Sequence, residues 1–227
     1  MQTQGKTKHR QATSPTTWSP SPPGFLKLNF DGASRGNPGL AGFGAVLRNH
    51  LGKITHLIAG FLGENTNNMA ELSSLVKGLQ MAVQNQHSRL IFEGDSQVII
   101  QLATRILNGQ PPWSTSPSWR LLGLLEDFKA LINPNLTLIP SHVKHEANKI
   151  ADLLANKGID AKADLIYWQA SISAETKLSH QCRDLASKDL QAPYGVTAGE
   201  GMTFGFHLSR GLNDRTHPFN ASPTDAG

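Results

Sequence analysis

Residues 25–39 read FLKLNFDGASRGNPG and combine a strand pattern with a glycine-rich turn. Apolar residues at positions 26, 28 and 30 alternate with polar residues at 27, 29 and 31, which is typical of a half-buried strand. The turn Gly36-Asn37-Pro38-Gly39 follows and predicts a reversal into the next strand. We therefore expect Asp31 to end the first strand, on the face opposite its apolar residues.

The segments that follow indicate an α/β fold. Further strands are predicted over 42–49 and 53–62, so that the first three strands form an antiparallel meander. Apolar residues then recur at helical spacing and predict a helix over 68–86. The remaining patterns predict strand 89–94, helix 96–107, loop 108–117, helix 118–132, strand 136–141 and helix 148–157. The order βββαβααβα favours a mixed five-stranded sheet flanked by helices.

This predicted domain, residues 25–160, lies between two segments without sustained apolar periodicity. Residues 1–24 are rich in Ser, Thr, Pro and Gln and are predicted to form a disordered leader. Residues 161–227 are predicted to form a mostly disordered tail. We expect no membrane span, because no apolar run approaches 18 residues. A single cysteine excludes an internal disulfide framework.

The charge of the chain permits a polyanionic partner without demanding one. The net charge is +4, yet residues 25–160 carry 12 basic and 10 acidic side chains, a net of +2. Any attraction for phosphate groups must therefore come from local patches rather than from a strong overall field.

Four acidic residues lie at positions that would suit a catalytic site: Asp31, Glu71, Asp95 and Asp152. Two follow or end predicted strands, and two lie beside apolar positions on predicted helices. Each also has an ordinary interpretation: a turn cap for Asp31, a solvated helix residue for Glu71, a helix N-cap for Asp95 and a lysine pair for Asp152. Spacing alone leaves both interpretations open.

If the four carboxylates met, they would repel one another and resist burial. Divalent cations relieve this conflict, and Mg²⁺ prefers hard oxygen ligands together with water and substrate phosphate. Two such ions can activate a water and stabilise the leaving oxygen of a phosphodiester.

Four motifs surround these acids in a fixed order. They are DGASRGNPG over 31–39, TNNMAEL over 66–72, EGDSQ over 93–97 and HVKHEANKIAD over 142–152. With these motifs, residues 25–160 resemble the type 1 ribonuclease H family, and within it the plant branch found alone or attached to retrotransposon reverse transcriptases. The resemblance implies a ribonuclease H-like fold and cleavage of the RNA strand of an RNA–DNA hybrid by an enzyme of retrotransposon origin.

The resemblance also implies roles for individual residues. The metal ligands would be Asp31, Glu71, Asp95 and Asp152, which would hold two Mg²⁺ ions, with Mn²⁺ as a substitute. His142, ten residues before Asp152, matches the histidine that assists proton transfer or product release in the family, and His145 lies close to it in sequence. Amide side chains would sense the 2′-hydroxyl of RNA, and the matching positions are Asn37, Asn67, Asn68 and Gln97.

One departure from the family concerns grip on the DNA strand. Some members carry a lysine-rich loop with tryptophan, whereas residues 108–118 contain no lysine or arginine. An alternative function is therefore a hybrid-binding module that has lost cleavage. A DNA strand-transfer enzyme of the transposase or integrase type is disfavoured, because such enzymes usually end their acidic set with glutamate rather than Asp152. An inert fragment of a mobile element is a third alternative.

Partner and compartment follow only from the resemblance. We expect a monomer that binds RNA–DNA hybrid, does not contact membranes and is able to associate with a reverse transcriptase. An intracellular location, in the nucleus or cytoplasm, is expected.

Overall fold

The computed structural model describes residues 17–111, 119–163, 165–168, 177–194 and 205–207. The strands are β1 Leu26–Gly36, β2 Gly39–Arg48, β3 Ile54–Asn65, β4 Arg89–Gly94, β5 Thr137–His142, β6 Leu165–Trp168 and β7 Gly205–His207. The helices are α1 Asn67–Gln84, α2 Gln97–Leu107, α3 Leu122–Leu131, α4 Lys149–Ala161 and α5 Lys177–Tyr194. Short 3₁₀ turns occupy Trp119–Leu121 and His145–Ala147.

The strands form one mixed sheet in the order β5-β4-β1-β2-β3-β6-β7. β1, β2 and β3 are antiparallel neighbours, whereas β4 runs parallel to β1 and β5. The predicted five-stranded mixed sheet is therefore confirmed, and β6 and β7 extend it beyond β3.

The first strand is longer than the sequence pattern indicates. β1 continues to Gly36, because residues 32–36 pair with β2 as far as the Gly36–Gly39 hairpin. Asp31 consequently lies inside β1 rather than at its end, which corrects the sequence-based expectation. It remains close to the core, since Asp31 is 6% exposed.

The α1 helix covers one face of the sheet. Thr66 caps its first turn by accepting a hydrogen bond from the Met69 amide, at 3.4 Å. An apolar stripe on α1 packs with residues of β1, β4, α2 and α3 in a single buried cluster. The stripe is the predicted one, and its members Leu72, Leu75, Val76 and Leu79 are at most 2% exposed.

The opposite face is covered by α4 and α5. Apolar residues of β2 and β3 pack there against Ile150 and Leu154 of α4. Cys182 and Ala186 of α5 join the same cluster, and Cys182 is fully buried. The burial raises the pKa of the Cys182 thiol to about 12.

Both flanking segments depart from the expected domain boundaries. Trp18 and Ser21, placed in the predicted leader, are 2% and 4% exposed and pack against the domain. The predicted tail contains β6, α5 and β7. The remainder of the leader, residues 1–16, and much of the tail lie outside the described residues.

None of the helices in the described ranges is both long enough and apolar enough to cross a membrane.

Candidate active site

Four structural elements bring the four carboxylates towards one region. Asp31 lies on β1, Glu71 on the first turns of α1, Asp95 directly after β4, and Asp152 on α4. β1 and β4 are parallel neighbours in which Asn29 pairs with Glu93, so Asp31, inside β1, lies level with Asp95, just past the end of β4. α1 and α4 then supply one carboxylate from each face of the sheet.

A glycine allows α1 to approach β1 at this point. A Cβ atom on Gly32 would lie 2.1 Å from the Glu71 backbone nitrogen, a distance that no side chain tolerates. Ser74 of α1 secures the same contact, because its hydroxyl accepts from the Asp31 amide at 3.2 Å and donates to the Gly44 carbonyl at 2.6 Å. Asp31 and Glu71 are therefore neighbours because of close backbone packing.

The carboxylates form two groups that share Asp31. One group joins Asp31, Glu71 and Asp95, and the other joins Asp31, Asp152 and His145. Within each group, one ligand atom from every residue lies within 4.8 Å of the others. The structure thus brings together all four acids that the sequence singled out.

The environment disfavours ionisation of the two buried acids. Burial, followed by the nearby Asp95 and Asp152 carboxylates, raises the pKa of Asp31 to about 8. Burial, followed by Asp31 and Asp95, raises the pKa of Glu71 to about 10. A structural carboxylate with a compensating cationic side chain would have the opposite shift, so this arrangement is costly without a bound cation.

One oxygen of this group has no hydrogen-bond partner among the described residues. It is the Oε2 atom of Glu71. This atom is buried, and the whole residue is only 4% exposed. Buried polar atoms are normally satisfied, and an exception calls for an explanation. The unpaired oxygen and the converging carboxylates fit the hard oxygen ligand set that Mg²⁺ prefers.

The ordinary interpretations of Asp95 and Asp152 are not supported. The α2 helix has Ser96 at its N-cap position and no side-chain cap, so Asp95 does not cap it. Asp152 Oδ1 accepts from Asn156 Nδ2 at 3.0 Å, and no lysine of the described residues pairs with it. The nearby Lys157 instead pairs with Asp160, at 3.7 Å.

Two histidines border the carboxylates. His142 lies at the end of β5, and its Nε2 atom is 3.0 Å from the Asp95 backbone oxygen. His145 is more exposed, and its Nδ1 atom is 3.2 Å from Asp95 Oδ2. The sequence singled out His142 by its spacing from Asp152. The structure adds His145, which begins the 3₁₀ turn His145–Ala147 and has a ring nitrogen within 4.8 Å of carboxylate oxygens of Asp31 and Asp152.

The predicted substrate-sensing amides are exposed and partly grouped. Asn37 and Asn67 meet, since Asn37 Oδ1 accepts from the Asn67 backbone amide at 3.1 Å. Asn68 follows on the first turn of α1, and Gln97 begins α2, two residues after Asp95. All four amide residues are exposed and therefore accessible to a ligand.

Residues 29–158 match a family model described as reverse transcriptase-like. Over 133 residues the chain is 35% identical to a putative ribonuclease H protein of Arabidopsis thaliana, covering 59% of this chain and 20% of that protein. It is 31% identical over 144 residues to the ribonuclease H of Halorhodospira halophila, covering 60% of this chain and 94% of that protein. The chain thus spans a small part of the plant relative and nearly all of the bacterial one.

A solved structure agrees with these matches. The crystal structure of RNase H1 from the halophilic archaeon Halobacterium salinarum superposes with a TM-score of 0.53 and 30% identity, covering 60% of this chain and 98% of that one. The matched segment includes all four carboxylates and more than half of the chain, and we conclude that this protein belongs to the ribonuclease H family.

Proposed function

We propose that this protein is a metal-dependent endonuclease that hydrolyses the RNA strand of RNA–DNA hybrids. Membership of the ribonuclease H family supports the reaction class. The observation that carries the proposal is the pair of ligand groups that share Asp31, together with the unpaired buried oxygen of Glu71. A carboxylate set of this kind is costly to fold unless it serves a bound cation.

Two Mg²⁺ ions are the proposed cofactors, with Mn²⁺ able to replace them. Asp31, Glu71 and Asp95 would hold one ion, and Asp31 and Asp152 would hold the other. When bound, such ions stabilise charge on the phosphate and lower the pKa of a coordinated water. The four carboxylates would fix the positions of the ions, because β1, β4, α1 and α4 hold the backbones of these residues in place.

The remaining polar residues have proposed roles around this centre. His142, within reach of the Asp95 backbone, is placed to relay a proton at the edge of the site. Asn37, Asn67, Asn68 and Gln97 form an exposed amide surface that can both donate to and accept from a 2′-hydroxyl. Recognition of that hydroxyl in the minor groove distinguishes RNA from DNA.

The proposal extends to context. A retrotransposon origin and association with a reverse transcriptase are supported by the reverse transcriptase-like family match. We further propose that the protein acts as a monomer inside the cell, in the nucleus or cytoplasm.

Hybrid cleavage by the purified chain tests the proposal. A labelled RNA–DNA hybrid, single-stranded RNA and duplex DNA are each incubated with Mg²⁺, with Mn²⁺ and with chelator. We expect cation-dependent cutting of the hybrid alone. Asp95→Asn should reduce the rate by about 10³-fold or more, because an amide is a poorer metal ligand.

Asp127→Asn is the matched control, because Asp127 is an exposed residue of α3 outside both carboxylate groups. It should cut at the wild-type rate. Hybrid binding without cutting in either metal would instead favour a binding module, and equal rates for Asp95→Asn and wild type would exclude the assigned metal site.

A further inference from the structure

A buried polar cluster lies directly behind the carboxylates, and we call it the Asn29 cluster. Its members are at most 5% exposed: Trp18, Lys27, Asn29, Arg48, Glu93 and Asn148. Lys27 Nζ lies 2.9 Å from Glu93 Oε1, and Asp189 of α5 pairs with Arg48 at 2.7 Å. Polar groups buried to this degree are stable only when their hydrogen bonds are made.

The side-chain amide of Asn29 links the cluster, because it forms hydrogen bonds with four of the other members. Its Oδ1 atom accepts from Trp18 Nε1 at 3.0 Å and from Arg48 Nη2 at 2.9 Å. Its Nδ2 atom donates to Glu93 Oε2 at 3.2 Å and to Asn148 Oδ1 at 3.3 Å. Asn148 in turn donates to the Phe30 carbonyl at 2.9 Å, on the residue before Asp31.

Three residues of the cluster, Asn29, Glu93 and Asn148, each share a backbone segment with one carboxylate. Asn29 precedes Asp31 by two positions on β1, so both side chains leave the same face of the strand. Glu93 precedes Asp95 by two positions at the end of β4.

The third of these residues, Asn148, lies at the N-terminus of α4. Asn148 lies one helical turn before Asp152, whose amide donates to the Asn148 carbonyl at 3.2 Å. A displacement of the Asn29 cluster would therefore be transmitted to three of the four carboxylates.

Trp18 closes this cluster from outside the region shared with the family model, which begins at residue 29. The Arg48 guanidinium carbon lies 3.4 Å from the centroid of the Trp18 ring, a stacked cation–π contact. The indole also packs with Val143 and Ala147, which flank His145 in the segment leading into α4. Trp18 thus contacts both the buried guanidinium and the histidine-bearing segment.

We propose that Trp18 is a positioning residue, which holds the Asn29 cluster in place and thereby keeps the carboxylates at the spacing that a divalent cation needs. This inference rests on the proposed function, because it assumes that the carboxylates bind cations. Trp18 touches neither substrate nor metal and acts through Asn29, Arg48 and the segment that precedes α4.

The test compares full-length Trp18→Leu and Trp18→Phe with Phe128→Leu. Leu retains an apolar side chain but loses the stack and the indole N–H, whereas Phe retains an aromatic ring over Arg48. Phe128 is fully buried in the core on the α1 side of the sheet, so its variant is a control for general destabilisation. Mg²⁺ binding is measured by calorimetry, melting by circular dichroism, and kcat and KM with labelled hybrid.

We expect Trp18→Leu to weaken Mg²⁺ binding about tenfold and to lower kcat by about 10- to 100-fold, as is typical when support of metal ligands is lost. The KM for hybrid should change little, and Trp18→Phe should show a smaller loss. Phe128→Leu should lower the melting temperature while leaving Mg²⁺ affinity and kcat unchanged.

Wild-type Mg²⁺ affinity and kcat in folded Trp18→Leu would overturn the proposal, even if its melting temperature fell. If Trp18→Leu lacks a cooperative melting transition, Trp18→Phe decides: weakened Mg²⁺ binding supports the proposal, and wild-type binding overturns it. Absence of hybrid cleavage by the wild-type protein would contradict the proposed function, while the Mg²⁺ titration would still judge the role of Trp18.

Discussion

Asp31 and Glu71 are two buried carboxylates whose oxygens lie within 4.8 Å of those of a third, Asp95. Their raised pKa values mean that the folded, metal-free protein holds protons that the unfolded chain releases. For an acid whose pKa is raised by folding, stability falls as pH increases from the unfolded value, about 4, through the folded value. A bound cation removes this penalty because it favours the ionised forms.

Metal-free protein should therefore lose stability as pH rises from about 5 towards the folded pKa values of about 8 and about 10. Glu71→Gln should flatten this slope, whereas Glu126→Gln, at an exposed position on α3, should preserve it. Melting temperatures measured in chelator across this range check the prediction. A stability that rises with pH in the absence of cation would contradict it.

The two histidines allow a second prediction at the same scale. His142 lies against the backbone of Asp95, whereas His145 contacts its carboxylate. We expect His142→Ala to lower the cleavage rate by about 10²-fold, as for loss of a proton-transfer group. We expect His145→Ala chiefly to change the Mg²⁺ concentration for half-maximal rate.

Rates measured over a Mg²⁺ series separate these two effects. The reverse pattern, in which His145→Ala removes activity and His142→Ala shifts only the Mg²⁺ requirement, would exchange the two roles.

Among the elements, α4 depends on close contact with β2. A Cβ atom on Gly44 would lie 2.3 Å from the Ala155 amide nitrogen and 2.5 Å from the Ala151 carbonyl oxygen. Both are backbone atoms of the helix that carries Asp152, so they cannot move aside as a flexible side chain would. The absence of a side chain at Gly44 sets the distance between this helix and the sheet.

Gly44→Ala should therefore destabilise the protein by about 1–3 kcal/mol and weaken Mg²⁺ binding, because α4 must shift outward. Gly123→Ala on α3 is the matched control, since a Cβ atom added there would have nothing within 4 Å among the residues that the structure describes. That control should stabilise the helix by about 0.5–1 kcal/mol. Urea unfolding and Mg²⁺ titration of both variants check the prediction, which equal stabilities would contradict.

The elements also show what the sequence can predict and why the rest escapes. The start of α1 is predictable to within one residue, because large apolar residues recur at helical spacing on it. α5 has no such signal, because its described buried residues, Cys182 and Ala186, are small and lie among polar residues. Trp18 escapes for a similar reason, because a single aromatic residue in a Ser- and Pro-rich segment has no periodicity.

The candidate site likewise has features that the sequence predicts and features that it does not. The order of the four motifs identifies all four carboxylates, because the acidic residues and the motifs around them are local features of the sequence. Their convergence, the raised pKa values and the Asn29 cluster depend on contacts between distant segments, such as Asn29 with Asn148. No local pattern records such a contact.

At the scale of the whole molecule, charge should govern how the protein grips a nucleic acid. The net charge is only +4, and residues 108–118 offer no lysine or arginine to a DNA strand. We infer that few phosphates are neutralised on binding, so that recognition relies more on the amide surface and the cation site. Few counterions would then be released from the duplex.

Hybrid affinity of Asp95→Asn should consequently fall by only about tenfold between about 50 and about 200 mM salt, which corresponds to about two phosphate contacts. Proteins with about six or more such contacts lose about 10³-fold or more over this range. Fluorescence anisotropy with labelled hybrid measures the dependence, and a loss of about 10³-fold would reveal a basic surface that the composition does not indicate.

The single cysteine of the chain can report how firmly α5 is packed against the rest of the domain. Cys182 is fully buried between α5 and the sheet, and its thiol has a pKa of about 12, so an alkylating reagent cannot reach a reactive thiolate while α5 stays in place. The labelling rate of the native protein therefore measures the frequency with which α5 detaches. This labelling rate requires no engineered probe, and comparison with the rate of global unfolding shows whether α5 detaches by itself.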